Sequence, residues 1–288
     1  MGYKLETHVH TIVSSACGHS TPAEMAAFYK AAGFDGICIT EHFYLGNTCI
    51  DKELTWDEWV DAYAKAYFLA KKEGDRIGLD VFFGWETSYA GEDFLIYGLC
   101  PEWLKAHPDV VRWDQKEQYE AVHSDGGFVV QAHPFRERNY MTEIKLHPYH
   151  SDAWEVMNAC NFPYENRLAY EEAAKCGKPM TAGSDIHRVR VTKCGKLFGL
   201  ELAEPLQDIR DLKEIVTEGD CRLIMEESQL SAPPLNPWFE VTAFGRENER
   251  ILQEQPYYPD AGKAEDPHER ANPMGRVSLP GDPENDAS

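Results

Sequence analysis

The chain reads as an α/β protein whose strands and helices alternate in the manner of a (β/α) barrel. Three observations carry that reading. Short apolar runs alternate with helix patterns about seven times before residue 225. Two capping boxes, Thr21-Pro22-Ala23-Glu24 and Thr55-Trp56-Asp57-Glu58, mark helix starts directly. Histidines and carboxylates recur just after the ends of the predicted strands, where a barrel gathers its loops. A doubly wound open sheet is the alternative arrangement of the same elements.

The elements follow in order. Tyr3–Val9 alternates with period two, as a strand does. The first capping box opens a helix that Gly33 stops, and Gly36–Thr40 is a short buried strand. The second box opens a helix with Trp56, Trp59, Val60, Tyr63 and Tyr67 on one face, closed by Lys71, Lys72 and Gly74. That aromatic stripe reads as core. Leu79–Trp85 and Phe94–Leu99 are strands, Asp114–Ser124 a helix, and Phe128–Gln131 and Trp154–Asn158 further strands. A helix from about Asn166 to Cys176 precedes a strand at Pro179–Gly183. Gly199–Leu202, a helix over Leu206–Glu218 and a last strand at Cys221–Met225 complete the body.

After that the character changes. Nine of the chain's 17 prolines lie between Pro233 and Pro283, and from Asp260 onward seven acidic residues face three basic ones with no apolar period. The expected organisation is therefore a barrel over residues 1–230 and a Pro-rich acidic tail over 231–288, mostly irregular and poorly ordered. Trp238, Phe239 or Phe244 are the tail residues suited to dock on the body.

Charge narrows the function. With 28 Lys and Arg against 49 Asp and Glu, the net charge is −21, which argues against nonspecific binding to nucleic acid or an anionic membrane. No apolar run reaches the length of a membrane span. The N-terminal residues lack the pattern of a secretory signal, and Glu6 stands where N-myristoylation wants Ser or Thr. Eight scattered cysteines without a C-x-x-C pair fit free thiols in a reducing compartment. Cys17, Cys38, Cys160 and Cys194 read as packing residues. The expectation is a cytoplasmic protein; the sequence is silent on its oligomeric state.

The chemistry lies at the strand ends. His8-Val9-His10 closes the first strand, and two residues apart on a strand means one shared face. Glu41-His42 follows the second strand, Glu86 ends the third, His133 follows Gln131-Ala132, and Asp185 and His187 follow Pro179–Gly183. Taken singly, each is as well explained by a core or loop residue. Together, the five histidines with Glu86 and Asp185 at one set of strand ends point to a metal site.

These motifs resemble those of the PHP (polymerase and histidinol phosphatase) domain, one of the amidohydrolase-like metal barrels. The likeness rests on His8-Val9-His10, Glu41-His42, Gln131-Ala132-His133-Pro134 and Gly183-Ser184-Asp185-Ile186-His187, with Glu86 matching a bridging carboxylate, and covers about residues 1–225. It implies a distorted seven-stranded, TIM-like (β/α) barrel and a metal-dependent phosphoesterase carrying two or three divalent ions, Zn, Mn or Fe. By that resemblance His8, His10, Glu86 and Asp185 hold one metal. Glu86 bridges to a second held with His133, and His42 and His187 hold a third.

Two departures stand out. Where the family places Asp or His five or six residues beyond the H-x-H, this chain has Ser15 and Ala16, with His19 as a candidate substitute. The second metal lacks its usual extra histidine; Asp93 or Cys100 stand near, and Asp93 is preferred because a short hairpin returns it beside Glu86. Arg136 and Arg188, next to proposed ligands, are candidate phosphate-binding cations.

The expected function is hydrolysis of a small-molecule phosphate ester by a metal-bridged hydroxide, with Glu86, His187, Arg136 and Arg188 as the catalytic set. His187 or His42 serves the leaving oxygen, through a third metal or as general acid. Two alternatives remain at this stage: a metal-dependent amide or ester hydrolase of the same barrel type, and an inactive metal-binding accessory module.

Overall fold

The computed structural model describes residues 2–137, 143–189 and 196–231, with the backbone of Glu240–Ala243 and Leu252–Gln253. Strand β1 (Tyr3–Val9) is buried along nearly its whole length, which places it inside a sheet and not at its edge. It pairs in parallel with β2 (Gly36–Ile39), and β2 pairs in parallel with β3 (Asp80–Tyr89). At Ala90-Gly91, both at positive φ, the chain reverses into β4 (Glu92–Tyr97). That strand runs antiparallel to β3 and to β5 (Phe128–Ala132).

The next strand, β6 (Glu143–Leu146), lies outside this sheet. Parallel pairing resumes through β7 (Ala153–Asn158) and β8 (Met180–Gly183). The N-terminal half of β1 pairs with β9 (Gly199–Leu202), which carries β10 (Cys221–Ile224). A parallel bridge between Val9 and Ile186 brings the C-terminal end of β1 against the segment leaving β8. Seven strands of the nine-stranded sheet thus curl into a nearly closed barrel, and β9 and β10 extend it as an antiparallel flap.

The expected distorted (β/α) barrel is the observed fold, and all nine expected strands are present. Three were not anticipated. β6 is short, and it pairs in parallel with β11 (Glu240–Ala243), itself paired with β12 (Leu252–Gln253). Trp238, Phe239, Phe244, Cys194 and the remainder of the tail lie outside the described residues.

Both capping boxes form. Helix α1 (Pro22–Ala31) starts at Thr21, whose side chain accepts the Glu24 N–H, and Gly33 takes the left-handed turn that ends it. Helix α2 (Trp56–Ile77) runs past Gly74 and stops at left-handed Gly78. Gly74 does not cap it. A Cβ at Gly74 would sit 2.5 Å from the Leu79 carbonyl, so the glycine lets the returning chain pass close to the helix.

The short α3 (Pro101–Ala106) was not foreseen. Then follow α4 (Gln115–Ser124), α5 (Pro163–Cys176, one turn earlier than expected) and α6 (Asp211–Glu218). The aromatic face of α2 is core: Trp59 and Tyr63 bury fully against Phe43 and Trp85. Burying a side chain such as Phe43 contributes roughly 1.5–3 kcal/mol. This packing fixes the loop after β2, and Tyr63 Oη donates to the Glu41 carbonyl at 2.5 Å. No helix among the described residues is long and apolar enough to cross a membrane.

Candidate metal centre

Because β1 alternates, His8 and His10 project from one face at the barrel mouth, and both are fully buried. Their Nε2 atoms face each other at 3.0 Å. The other ring nitrogens fix the tautomers. His8 Nδ1 lies 3.0 Å from Glu155 Oε1, an acceptor, so it carries a proton. His10 Nδ1 lies 3.2 Å from Ser15 Oγ, which spends its own hydrogen on Glu41 and also accepts the His42 N–H at 3.0 Å. In the neutral imidazoles both Nε2 atoms then present lone pairs to the same small space. Two such lone pairs at contact distance repel unless a proton or a cation lies between them.

Glu86 divides that space. Its Oε1 lies 3.3 Å from His8 Nε2 and 3.3 Å from His133 Nε2. Its Oε2 lies 3.6 Å from His10 Nε2 and 2.6 Å from His42 Nδ1, yet this buried oxygen has no hydrogen bond of proper geometry. Asp185 Oδ1 approaches His10 Nε2 at 3.2 Å and His8 Nε2 at 3.5 Å. Its Oδ2 is held by Arg136 Nη2 at 2.6 Å and Asn158 Nδ2 at 3.3 Å. Among the described residues, three groups of donors lie close enough to share an ion: His8, His10 and Asp185; His8, Glu86 and His133; and His10, His42 and His187.

The electrostatics follow from this crowding. Burial pushes the Glu86 carboxyl up, but His42 and His8 outweigh it and hold it well below the usual range. Burial acts the same way on Asp185, and His8 and Arg136 override it. Burial lowers His8, yet Asp185, Glu155 and Glu86 raise it well above an ordinary histidine. His10, opposed by burial and by His42 and His187, is lowered. These are carboxylates held ionised while buried, the condition in which a cation binds. His133 and Asp185 also sit at positive φ, 31° and 53°, in the left-handed region that costs a non-glycine residue about 1–3 kcal/mol. The Asp185 turn is held by its N–H donating to the His8 carbonyl at 2.9 Å.

Most sequence-predicted residues meet here. Asp93 Oδ2 lies 3.8 Å from His133 Nε2, because Asp93 pairs with Ala132 across the β4–β5 ladder. Cys100 is exposed at the start of α3, beyond the opposite end of β4. The antiparallel course of β4 explains the difference: its beginning, not its end, reaches the mouth. His19 is exposed; its backbone N–H donates to the His187 carbonyl at 2.7 Å, and among the described residues it joins none of the three donor groups.

Arg136 lines the mouth cavity of about 420 Å³, but its guanidinium is committed to Asp185, Asn158 and Asn161. Arg188 is half-buried and not among the residues lining that cavity. Cys17, expected to be a packing residue, instead places Sγ 3.1 Å from His42 Nε2. Burial pushes this thiol up, but His187 and His42 bring it down to about 6. Cys38 is a buried packing residue as expected.

Sequence reasoning missed Glu155 and Asn158. Glu155 Oε2 accepts from His133 N–H at 3.1 Å and from Asn158 Nδ2 at 2.9 Å, so one carboxylate orients both His8 and His133. The available signal was a glutamate in the middle of the otherwise apolar Ala153–Val156 run.

A near-closed α/β barrel with clustered imidazoles and carboxylates at its C-terminal mouth defines a metal-site barrel protein. The PHP domain family matches residues 6–175, more than half of the chain, and a PHP-associated segment matches residues 163–191. The chain belongs to the PHP family.

A similar solved structure is a two-domain protein from Bacteroides vulgatus containing a predicted PHP-like metal-dependent phosphoesterase. It is 18% identical with a TM-score of 0.60, over 79% of this chain and 66% of that one. A putative metal-dependent phosphoesterase from Bifidobacterium adolescentis is 17% identical with a TM-score of 0.46, over 73% of this chain and 94% of that one. An amidohydrolase from Chromobacterium violaceum is 14% identical with a TM-score of 0.45, over 64% and 87%. Comparison with curated proteins finds no significant match.

Proposed function

We propose that this chain is a cytoplasmic metal-dependent phosphoesterase acting on a small-molecule phosphate ester, with two or three divalent ions (Zn, Mn or Fe) as cofactors. The observation that carries the metal reading is the pair of Nε2 atoms of His8 and His10, 3.0 Å apart and flanked by the carboxylates of Glu86 and Asp185. The PHP family and the barrel shared with the Bacteroides phosphoesterase-containing protein support the phosphoester reading. Free thiols at all seven described cysteines support the reducing compartment.

His8, His10, Glu86 and Asp185 would hold one ion, Glu86, His133 and Asp93 a second, and His42 with His187 a third. Ions so held supply Lewis-acid charge and a water acidic enough to lose its proton near neutral pH. The chain's own residues set up the rest. Glu155 and Ser15 keep protons on His8 Nδ1 and His10 Nδ1, leaving each Nε2 to donate its lone pair. Arg136 and Asn158 anchor Asp185 Oδ2, so that Oδ1 faces the centre. Asn47, Ser88 and Gly91 line the cavity through which an ester reaches these groups.

A phosphate-release screen on the metal-replete full chain, with p-nitrophenyl phosphate and its diester as first probes, tests the reading. Turnover lost on chelation and regained with added zinc or manganese is expected. Metal-replete protein that releases no phosphate from any mono- or diester would overturn it.

A further inference from the structure

The loop after β1 brings a thiol to the mouth for which the donor sets above have no use. Three donors meet there. His187 Nδ1 donates to the Asp185 carbonyl at 3.1 Å, which leaves its Nε2 lone pair bare. His42 turns Nδ1 toward Glu86, which leaves its Nε2 to the mouth, 3.5 Å from His187 Nε2. Cys17 Sγ lies 3.1 Å from that same His42 Nε2. With His10, the two outer histidines already form a donor group tight enough to share an ion.

The backbone builds this placement. Ser15 N–H and Gly18 N–H close turns onto the Thr11 and Ser15 carbonyls, Ala16 N–H donates to Asn47, and His19 N–H to His187. A Cβ at Gly18 would lie 2.1 Å from the Thr11 carbonyl, so only glycine lets the loop fold back this tightly behind Cys17.

We propose that Cys17 is a thiolate ligand of the outer metal position, completing it with His42 Nε2 and His187 Nε2. The cation binds the thiolate, and any proton the thiol still carries goes to solvent. A sulfur donor among imidazoles selects zinc or another soft or borderline ion over manganese. The outer position thus differs in metal preference from the oxygen-rich positions at Glu86 and Asp185. His19, the other candidate in this loop, is left out. The inference rests on the metal-dependent reading above.

The test uses the metal-stripped full chain titrated with cobalt(II). Wild type is expected to show a sulfur-to-cobalt charge-transfer band in the near ultraviolet beside the visible ligand-field bands. Cys17→Ser is expected to lose the band and one equivalent of cobalt, and Cys17→Asp to regain the equivalent without the band. Should the serine variant fail to fold, wild type still decides. Zinc is expected to slow iodoacetamide alkylation of Cys17 about tenfold or more, read by peptide mass, while exposed Cys49 and Cys100 react unchanged.

Ligand-field bands without a charge-transfer band, a band that survives in Cys17→Ser, or equal alkylation rates with and without zinc each overturn the cysteine ligand while leaving the metal reading intact. No cobalt bound at all overturns both.

Discussion

The inner and outer halves of the centre are built differently. His8, His10, Glu86 and Asp185 are almost wholly excluded from solvent, and three of them are oriented by a residue from elsewhere in the chain: Glu155 on β7, Ser15 in the loop after β1, and Arg136 after β5. His42 and His187 are more exposed, at 17% and 22% of their side-chain surface, and Cys17, His42 and His187 lie against one another. Strand-borne ligands inherit their spacing from the sheet and need only rotational control, which buried carboxylates supply. Loop-borne ligands need the loop itself to be fixed, here by backbone hydrogen bonds. The inner half should therefore be sensitive to mutations that touch no metal, and the outer half should tolerate exchange of one donor for another.

The largest effect is expected for Asp185→Asn. It removes a proposed ligand and leaves the Arg136 guanidinium buried without its partner, a loss of about 3–5 kcal/mol in stability. Denaturant unfolding with and without metal checks this, and a change under about 1 kcal/mol would break the claim that Arg136 serves the inner half.

Glu155→Gln comes next. It frees the tautomer of His8 and should weaken metal binding about 10–100-fold while the fold persists, measured by competition with a chromophoric chelator. Ser15→Ala should sit at the low end of that range, about tenfold, because His10 Nδ1 loses its acceptor but Glu41 keeps its bonds from Thr11.

The smallest effect lies far from both halves. Lys178, in the turn before β8, is brought down to about 8 chiefly by burial, against an ordinary 10.5. Between these values the unfolded chain binds the extra proton, so stability should rise as pH climbs from about 8 to about 10.5. Lys178→Met should flatten that rise, seen in urea midpoints across the window, and should leave metal affinity unchanged.

The contrast between the halves also explains what the sequence revealed. The period-two spacing of His8 and His10 projects without ambiguity because strand geometry is rigid, whereas Asp185 and His187 leave β8 through a turn at positive φ and enter different donor groups. Asp93 was recognisable from strand geometry too, through a tight hairpin at Ala90-Gly91. Glu155 was not, because it comes from a strand about 147 residues away in sequence, and only the closed barrel brings it behind His8. The loop from Thr11 to Ser20 obeys no period. Residue type therefore put His19 forward as a substitute, at a longer spacing than the family's, whereas the turn tightened at Gly18 brings Cys17 to His42. Arg136 was picked for its place beside His133, but its partner Asp185 arrives from β8. The extension of α2 past Gly74 depended on the close approach of Leu79, which no local propensity encodes.

The central claim is that Glu86 joins two metal positions at one buried mouth. Glu86→Gln keeps the size and one oxygen of the side chain, so packing should hold. The decisive measurement is elemental analysis of metal per chain after dialysis against zinc, for wild type and Glu86→Gln side by side, with circular dichroism confirming the fold. At least about two equivalents are expected in wild type and a loss of more than one in the variant, with phosphate release falling by orders of magnitude. A folded Glu86→Gln protein that retains the wild-type metal content and near-normal turnover would contradict that claim.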